Sequence, residues 1–429
     1  MLELNTIFKR LRGKRILILG FGREGKSSLA FLQKFLPHAS IGVADKNQKA
    51  FDDLITNSSN PIATYSGEDY IDAVKNYDIV IKTPGISLKD KNVDLSKITS
   101  QTDLFLEAFH NQIIGVTGTK GKSTTSTLIY HLLKESGRDA ILAGNIGIPI
   151  FDVIEKISKR SIIVFELSAH QLQFIHRSPH IGILLNVFEE HLDHFGTFEA
   201  YRNAKFNIIS NMDETDWAVT NDEFSYEASK LMLRSLNYLY YDFDIDWNKV
   251  PLKGEHNKSN VKAALCAIHA FGVPVDDVIP YLYTFKPLEH RQEFVGTFHG
   301  ISFYNDSIST IPQAAIAAVK TIKNVNFLLL GGFDREIDYT PLVDFLVKNP
   351  IEHILYTGKA GARMYQMLKD AGYQGYIKNF KDLNEAFEII KSESKPGDVV
   401  LLSPAAASYD QYKNFEERGK IFKDLARKI

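Results

Sequence analysis

A glycine-rich stretch, Gly118-Thr119-Lys120-Gly121-Lys122-Ser123-Thr124, sits between the apolar run QIIGV and a helical pattern that continues to about Ser136. No other feature restricts the fold as much. A strand that runs straight into a helix hands the chain to a crossover, and crossovers build parallel sheets covered by helices. Glycines in such a turn let backbone N–H groups converge on phosphate oxygens, and the helix N-terminus adds the positive end of its dipole. Lys122 then reaches the β- and γ-phosphates and Ser123 holds Mg²⁺, so the segment predicts ATP or GTP binding. Val116 stands where the strict G-x-x-x-x-G-K-[ST] pattern has its first glycine, although Gly115 and Gly118 flank it.

The same rhythm recurs along the chain. RILILG, a helix from about Lys26 to Phe35, IGVAD and DIVIKTPG form a first unit. QIIGVTGTKGKST, ILAGN, SIIVFELS, IGILLNV and the helix NKSNVKAALCAIHAFG form a second. ISFYNDS, the helix after Pro312, NFLLLGG, HILYTG and DVVLLSP form a third. Short apolar runs alternating with helical patterns place the chain in the α/β class. We expect three domains, 1–97, 98–286 and 287–429, which suits a chain of 429 residues, longer than one core usually organises.

The formal charge of -2, with no long basic run, argues against a nucleic-acid or anionic-membrane surface, so anion binding must come from local sites. The lone cysteine, Cys266, lies among Ala263, Ala264, Leu265 and Ala267, on what reads as the apolar face of a helix. It cannot form an internal disulfide, which fits a reducing compartment. No apolar run is long enough to span a bilayer, and the expectation is a cytoplasmic protein.

Gly20-Phe21-Gly22-Arg23-Glu24-Gly25 follows a strand and opens a helix, with Asp45 twenty residues beyond Gly25 at the end of the next strand. This satisfies the dinucleotide fingerprint, with Asp45 on a ribose hydroxyl. The same turn accepts any phosphate-bearing nucleotide. A UDP-type diphosphate on Gly22, Arg23 and Glu24, with Thr83-Pro84-Gly85 closing over it, accounts for a second nucleotide site in a chain that already has a phosphate loop. Glycines serving only close helix–strand packing are the structural alternative.

Glu166 ends the strand in SIIVFELSAHQL, where open α/β sheets gather their ligands, and a carboxylate there can coordinate Mg²⁺. NVFEEHLDHFG places Glu189, Glu190, His191, Asp193 and His194 directly after another strand, and hard oxygen donors beside a phosphate loop suit Mg²⁺ better than zinc. Lys205, in the amphipathic segment EAYRNAKFNII, reads on its own as a solvated surface lysine.

TGTKGKST, FELSAHQL, NVFEEHLDHFG, the lysine in RNAKF, GEHNKSN, EHR, NDSIST and LLSPAAASYDQYKNFEERG together resemble, in identity and order, the Mur ligases of peptidoglycan synthesis. The resemblance implies a Rossmann-like UDP-binding domain, a central P-loop ATPase-like domain and a Rossmann-like C-terminal domain. It also implies an ATP-driven, amide-forming ligase that uses ATP and two Mg²⁺ ions. The NDS segment and the last motif are most similar to the branch that joins D-glutamate to UDP-N-acetylmuramoyl-L-alanine, as a monomer. Lys122 and Ser123 would then serve the ATP phosphates and Mg²⁺, Glu166 and His191 the metal sites, and Lys205 would be carbamylated, turning a cation into an anionic metal ligand. Asn145 would contact the muramoyl substrate; Asn260, Arg291 and Asp306 would contact ATP, with His290 beside them. Thr310, Arg335, Ser408, Tyr409 and Phe415 would form the D-glutamate pocket. Ile308 and Arg335 depart from the family pattern, which often has lysine at both places. Another Mur-type or folylpolyglutamate-type ligase, a nicotinamide-dependent oxidoreductase built on GFGREG, and a non-catalytic nucleotide switch are the rival readings.

Overall fold

The computed structural model describes residues 3–52, 54, 61–144, 148–231 and 234–429. The chain divides into two compact units, Met1–Val250 with Asn257–Phe285, and Pro251–His256 with Lys286–Ile429. Among the described residues it contains three sheets.

The first unit holds two parallel sheets. One has the strand order Ala63–Tyr65, Ser40–Ala44, Arg15–Leu19, Ile79–Lys82, Ile98–Thr99. The other runs Arg234–Asn237, Trp217–Thr220, Ile181–Leu184, Ile113–Thr117, Ile162–Glu166, Ala140–Gly144. The central strands are continuous apolar runs because both faces are covered: Ile16 to Leu19 and Ile113 to Thr117 are all buried. Each fully buried Ile, Leu or Val contributes about 1.5–3 kcal/mol relative to exposure.

The helix expected from Lys26 starts earlier and spans Arg23–Phe35. Gly25 sits inside its first turn for a packing reason, since a Cβ there would lie 2.2 Å from the Gly20 carbonyl oxygen. This helix fastens the first sheet to the second. Phe31 packs on Phe151 with ring centroids 4.2 Å apart, Ser27 Oγ donates to Asp152 Oδ1 at 2.6 Å, and Lys34 pairs with Glu155 at 2.7 Å.

The second unit holds the third sheet, ordered Glu293–Phe298, Ile301–Asn305, Val399–Leu402, Phe327–Gly331, His353–Thr357, Tyr376–Asn379. Its first pair is antiparallel and the rest are parallel. The antiparallel edge strand has no counterpart in the sequence reading, because EFVGTF is short and interrupted by Gly296, where the register shifts. Cys266 is fully buried in the helix Glu255–Ala270. No helix among the described residues is long and apolar enough to cross a membrane.

Candidate functional site

Parallel register brings the phosphate loop and Glu166 together. Val116 pairs with Glu166 on one side and Ile183 on the other, so both neighbouring strands end where the loop begins. Val116 is thus a strand residue, and the conformational demand falls on later glycines. Gly121 has φ +87°, and a Cβ there would lie 2.5 Å from Asn260 Oδ1, which puts the Asn260 side chain directly against the turn. The helix Lys122–Glu135 starts at once, presenting its N-terminal N–H groups to the loop.

Two side chains hold this loop to the segment after Leu184. Asn186 brackets Lys120: its Oδ1 accepts from the Lys120 backbone N–H at 2.8 Å and its Nδ2 donates to the Lys120 carbonyl at 3.0 Å. Buried Thr119 accepts from the Phe188 N–H at 2.9 Å and lies 3.1 Å from the Tyr201 hydroxyl. Lys122 Nζ donates to the carbonyls of Gly118 and Thr119, at 2.8 and 3.0 Å. Asn186→Ala strands two backbone groups at a cost of about 1–3 kcal/mol. We expect a lowered Tm and a several-fold higher KM for the nucleotide, read by thermal melting and initial rates; unchanged values would show that the bracket is dispensable.

Lys205 is not a surface residue. It is 2% exposed, on the helix Phe198–Ser210, and its Nζ donates to the Gly118 carbonyl at 2.8 Å and lies 4.9 Å from the Tyr201 ring centroid. The solvated reading fails because Tyr201, Ala204, Lys205 and Ile208 share the inward face of that helix. Burial, and next the charge of Lys122, push its amine well below the usual lysine range.

A cleft of about 290 Å³ opens in front of these groups, lined by Pro84, Gly85, Lys122, Ser168, Ala169, His170, Glu190, His191, Tyr201 and Lys205. Glu166, 1% exposed, lies behind it and accepts from Ser126 Oγ at 3.3 Å. Burial alone would raise the Glu190 carboxyl, but Lys120, His191, Lys122 and Lys205 together hold it below the ordinary glutamate range. Lys120 Nζ stands 3.5 Å from it. His191 adopts φ +58°, a left-handed conformation that is costly for a residue with a Cβ, as is common at functional sites. His170 stacks edge-on against His191 and His194, with centroids 4.8 and 4.3 Å away, and is pushed down to about 3 by burial and by those two rings. Glu166, a buried carboxylate at a strand end, and the acidic Glu190 on the cleft wall are hard oxygen donors that fit Mg²⁺ beside phosphate.

On the first sheet, Thr83 Oγ1 sits over Gly20, where a Cβ would lie 2.0 Å from it. Gly22 has nothing within reach of an added Cβ, which leaves room for a ligand at the helix N-terminus. Asp45 spends one oxygen on the Phe21 N–H at 2.7 Å and the other on the Asn47 N–H at 2.9 Å, pinning the glycine turn to the neighbouring strand. Glu24 Oε1 accepts from Gln171 Nε2 at 2.9 Å, and Arg23 opens the helix. Asn145 and the Asp193 side chain lie outside the described residues.

In the second unit, Asp306 is 1% exposed and accepts from Ser403 Oγ at 2.7 Å, from Ser309 Oγ and from the Gln292 N–H at 3.1 Å. Burial outweighs these bonds and lifts it to about 6. His290 Nδ1 accepts from Asn305 Nδ2 at 2.8 Å, and the His290 carbonyl accepts from the Ile308 N–H at 3.1 Å, which ties the EHR segment, and with it Arg291, to the NDS turn. Arg335 lies 5.6 Å from the ring centroid of exposed Tyr409, next to buried Ser408. Buried Arg418 fixes these loops to each other: it donates to Ser307 Oγ at 3.0 Å, the Ser307 carbonyl at 2.8 Å and the Ala406 carbonyl at 3.1 Å. Ser307 Oγ in turn donates to the Phe415 carbonyl at 2.8 Å. Thr310 is half-buried on the NDS turn.

Asn186, Glu190, His170, Tyr201 and Arg418 were not assigned roles from the sequence. Glu190 lay within a cluster already marked, and Tyr201 stands one turn before Lys205. Asn186 and Arg418 act on backbone groups far away in sequence, for which no local pattern exists.

The Mur ligase middle domain model matches residues 116–249, and the Mur ligase, glutamate ligase domain model matches residues 290–406. A UDP-N-acetylmuramoylalanine–D-glutamate ligase of Symbiobacterium thermophilum is 34% identical over 85% of this chain and 87% of its own. One of Ligilactobacillus salivarius is also 34% identical, over 99% of this chain and 98% of its own. Among solved structures, MurF ligase from Thermotoga maritima in complex with ADP matches with a TM-score of 0.61 at 19% identity, covering 98% of this chain and 96% of that one. MurF from Acinetobacter baumannii reaches 0.63 at 15% identity, covering 98% of each. These structures share the three-domain fold. Sequence similarity along nearly the whole chain and a phosphate loop set against Glu166 and Lys205 lead to one conclusion: the chain belongs to the Mur ligase family.

Proposed function

We propose that this protein is an ATP-dependent ligase that joins D-glutamate to UDP-N-acetylmuramoyl-L-alanine in the cytosol, releasing ADP and phosphate. The observation that carries this reading is the convergence of Lys122, Glu190, His191 and Lys205 with Pro84 and Gly85 of the first sheet on one cleft. That cleft offers an acyl substrate and a γ-phosphate a common meeting place. In this reading the domains 1–97, 98–286 and 287–429 serve the UDP-substrate, ATP and the amino acid.

A carboxylate is a poor electrophile with no good leaving group, and ATP remedies this by forming an acyl phosphate. Lys122 offsets the repulsion between the substrate carboxylate and the phosphates, and the N-terminus of its helix holds the transferring oxygens. Ser123, Glu166, His191 and a carbamylated Lys205 would hold two Mg²⁺ ions, which supply charge neutralisation at the transferring phosphoryl group. Carbamylation joins the neutral Lys205 amine to CO₂ with loss of one proton, and its depressed pKa supplies the neutral amine. Asn260 is placed against the phosphate-loop turn, and Arg291 and Asp306 are further ATP contacts in this reading. The D-glutamate amine attacks the acyl carbon and phosphate departs, its carboxylates held by Arg335, Thr310 and Ser408, with Tyr409 and Phe415 framing the pocket. Arginine at 335 binds a carboxylate as a two-pronged donor.

Purified protein given ATP, Mg²⁺ and UDP-N-acetylmuramoyl-L-alanine should release phosphate when D-glutamate is added and not with other amino acids. Phosphate release with a different amino acid, or with a folate acceptor, would reassign the substrate. Arg335→Ala should raise the KM for D-glutamate more than tenfold, on the scale of a lost charge-assisted pair, and change that for ATP little. A larger rise in the ATP KM would reverse the division of roles.

A further inference from the structure

Lys82 ends the strand Ile79–Lys82, one residue before the Thr83-Pro84-Gly85 turn that reaches the cleft, and it is 3% exposed. A buried cation is costly unless it is paired. An ammonium can donate three hydrogen bonds, yet among the described residues Lys82 donates one, to the Thr83 carbonyl at 3.0 Å. On its other side the Phe174 ring centroid lies 5.5 Å away. Among the described residues no carboxylate forms an ion pair with it. Glu24 is the charged side chain whose field supports it, and one Glu24 oxygen is already taken by Gln171. Among the described residues, two donors on this deeply buried cation thus have no protein acceptor.

The surroundings indicate what that is. Lys82 pairs in register with Leu19, the residue before Gly20, so the cation stands beside the strand end that opens into the Gly20-Phe21-Gly22 turn. Gly22 leaves open space at the N-terminus of a 13-residue helix. The field of Lys82 also reaches His170 on the cleft wall. One open helix N-terminus and one under-satisfied buried cation thus flank the same strand ends, and both select a compact anion.

We propose that Lys82 is a binding residue for the diphosphate of the nucleotide-linked substrate, supplying the side-chain cation to a site whose other donors are backbone N–H groups. This rests on the functional reading above and deepens it. Glu24 is the resting counter-charge, held back by Gln171, and the diphosphate takes over that role when it binds.

Titration calorimetry with UDP-N-acetylmuramoyl-L-alanine, paired with steady-state kinetics on wild type, Lys82→Met and Lys82→Arg, tests this. Lys82→Met should weaken substrate binding about 30-fold or more, the scale for truncating one partner of a buried charge pair. The ATP KM, kcat at saturating substrate and Tm should stay within about twofold, and Lys82→Arg should recover part of the affinity because it keeps the charge. Unchanged affinity in Lys82→Met, or a loss confined to kcat or Tm, makes Lys82 a prop for its own turn and overturns the assignment while leaving the ligase reading intact. Wild-type protein that binds no UDP-linked substrate overturns both.

Discussion

Lys205→Ala should lose turnover by about 10³-fold, and acetate or formate should restore a measurable part of it. The size follows from removing an anionic metal ligand, since metal-assisted charge stabilisation supplies several kcal/mol of barrier lowering. The direction of rescue follows from charge: an unmodified ammonium beside a divalent cation is repelled, so the missing group is a carboxylate-like anion. Alanine leaves a space behind the Gly118 carbonyl that a small carboxylate can enter. The structure also defines the competing role sharply. Lys205 Nζ holds the Gly118 carbonyl at 2.8 Å, and if supporting the phosphate loop is its whole purpose, methylamine will rescue and carboxylates will not. Chloride, which cannot bridge as a carboxylate does, should do little in either case. Full activity in the alanine variant, or rescue by the amine alone, removes the carbamate from the mechanism.

Lys122→Ala should abolish measurable phosphate release, a loss of at least about 10³-fold, without lowering Tm by more than a degree or two. The fold survives because Asn186 and Thr119 hold the loop, through bonds that do not involve Lys122. Two effects combine in the loss. The first is direct loss of charge at the transferring phosphoryl group. The second acts through Lys205, because after burial the Lys122 charge is the largest influence depressing that amine. Without Lys122 the Lys205 ammonium becomes more favourable and carbamylation less so. Raised bicarbonate should therefore recover a small fraction of activity in Lys122→Arg, which keeps the charge but misplaces it, and none in Lys122→Ala. Near-wild-type rates in Lys122→Ala would take the phosphate loop out of the reaction.

The sequence by itself determined the three sheets and the position of the phosphate loop. RILIL, IIGVT, IIVFE, IGIL and FLLLG are apolar enough to be buried on both faces, and each strand is followed by a helical segment or a glycine turn, so a parallel sheet is the arrangement that buries them. It also marked Glu166, because a carboxylate after such a run must sit at a strand end. Lys205 reads from its segment alone as a solvated lysine, and it is the packing of its helix that puts it on a buried face with Tyr201, Ala204 and Ile208. Only the tertiary structure decided which distant groups meet. Asn186 closes on Lys120, Thr119 meets Tyr201, and Arg418 joins Ser307 to Ala406, across separations of 66, 82 and 111 residues for the side chains' contacts with Lys120, Tyr201 and Ser307. Those meetings follow from strand order and register, which set what lies beside what at the ends of a sheet. Lys82 belongs with them, because a lysine at the end of IVIK looks like the solvated tip of a strand. Its surroundings come from a distant part of the chain, since the ring of Phe174, which follows the helix Ala169–Leu172, lies 5.5 Å from its ammonium. Local pattern fixes which face of an element is apolar, whereas the environment of a charge is set by whatever packs against that face.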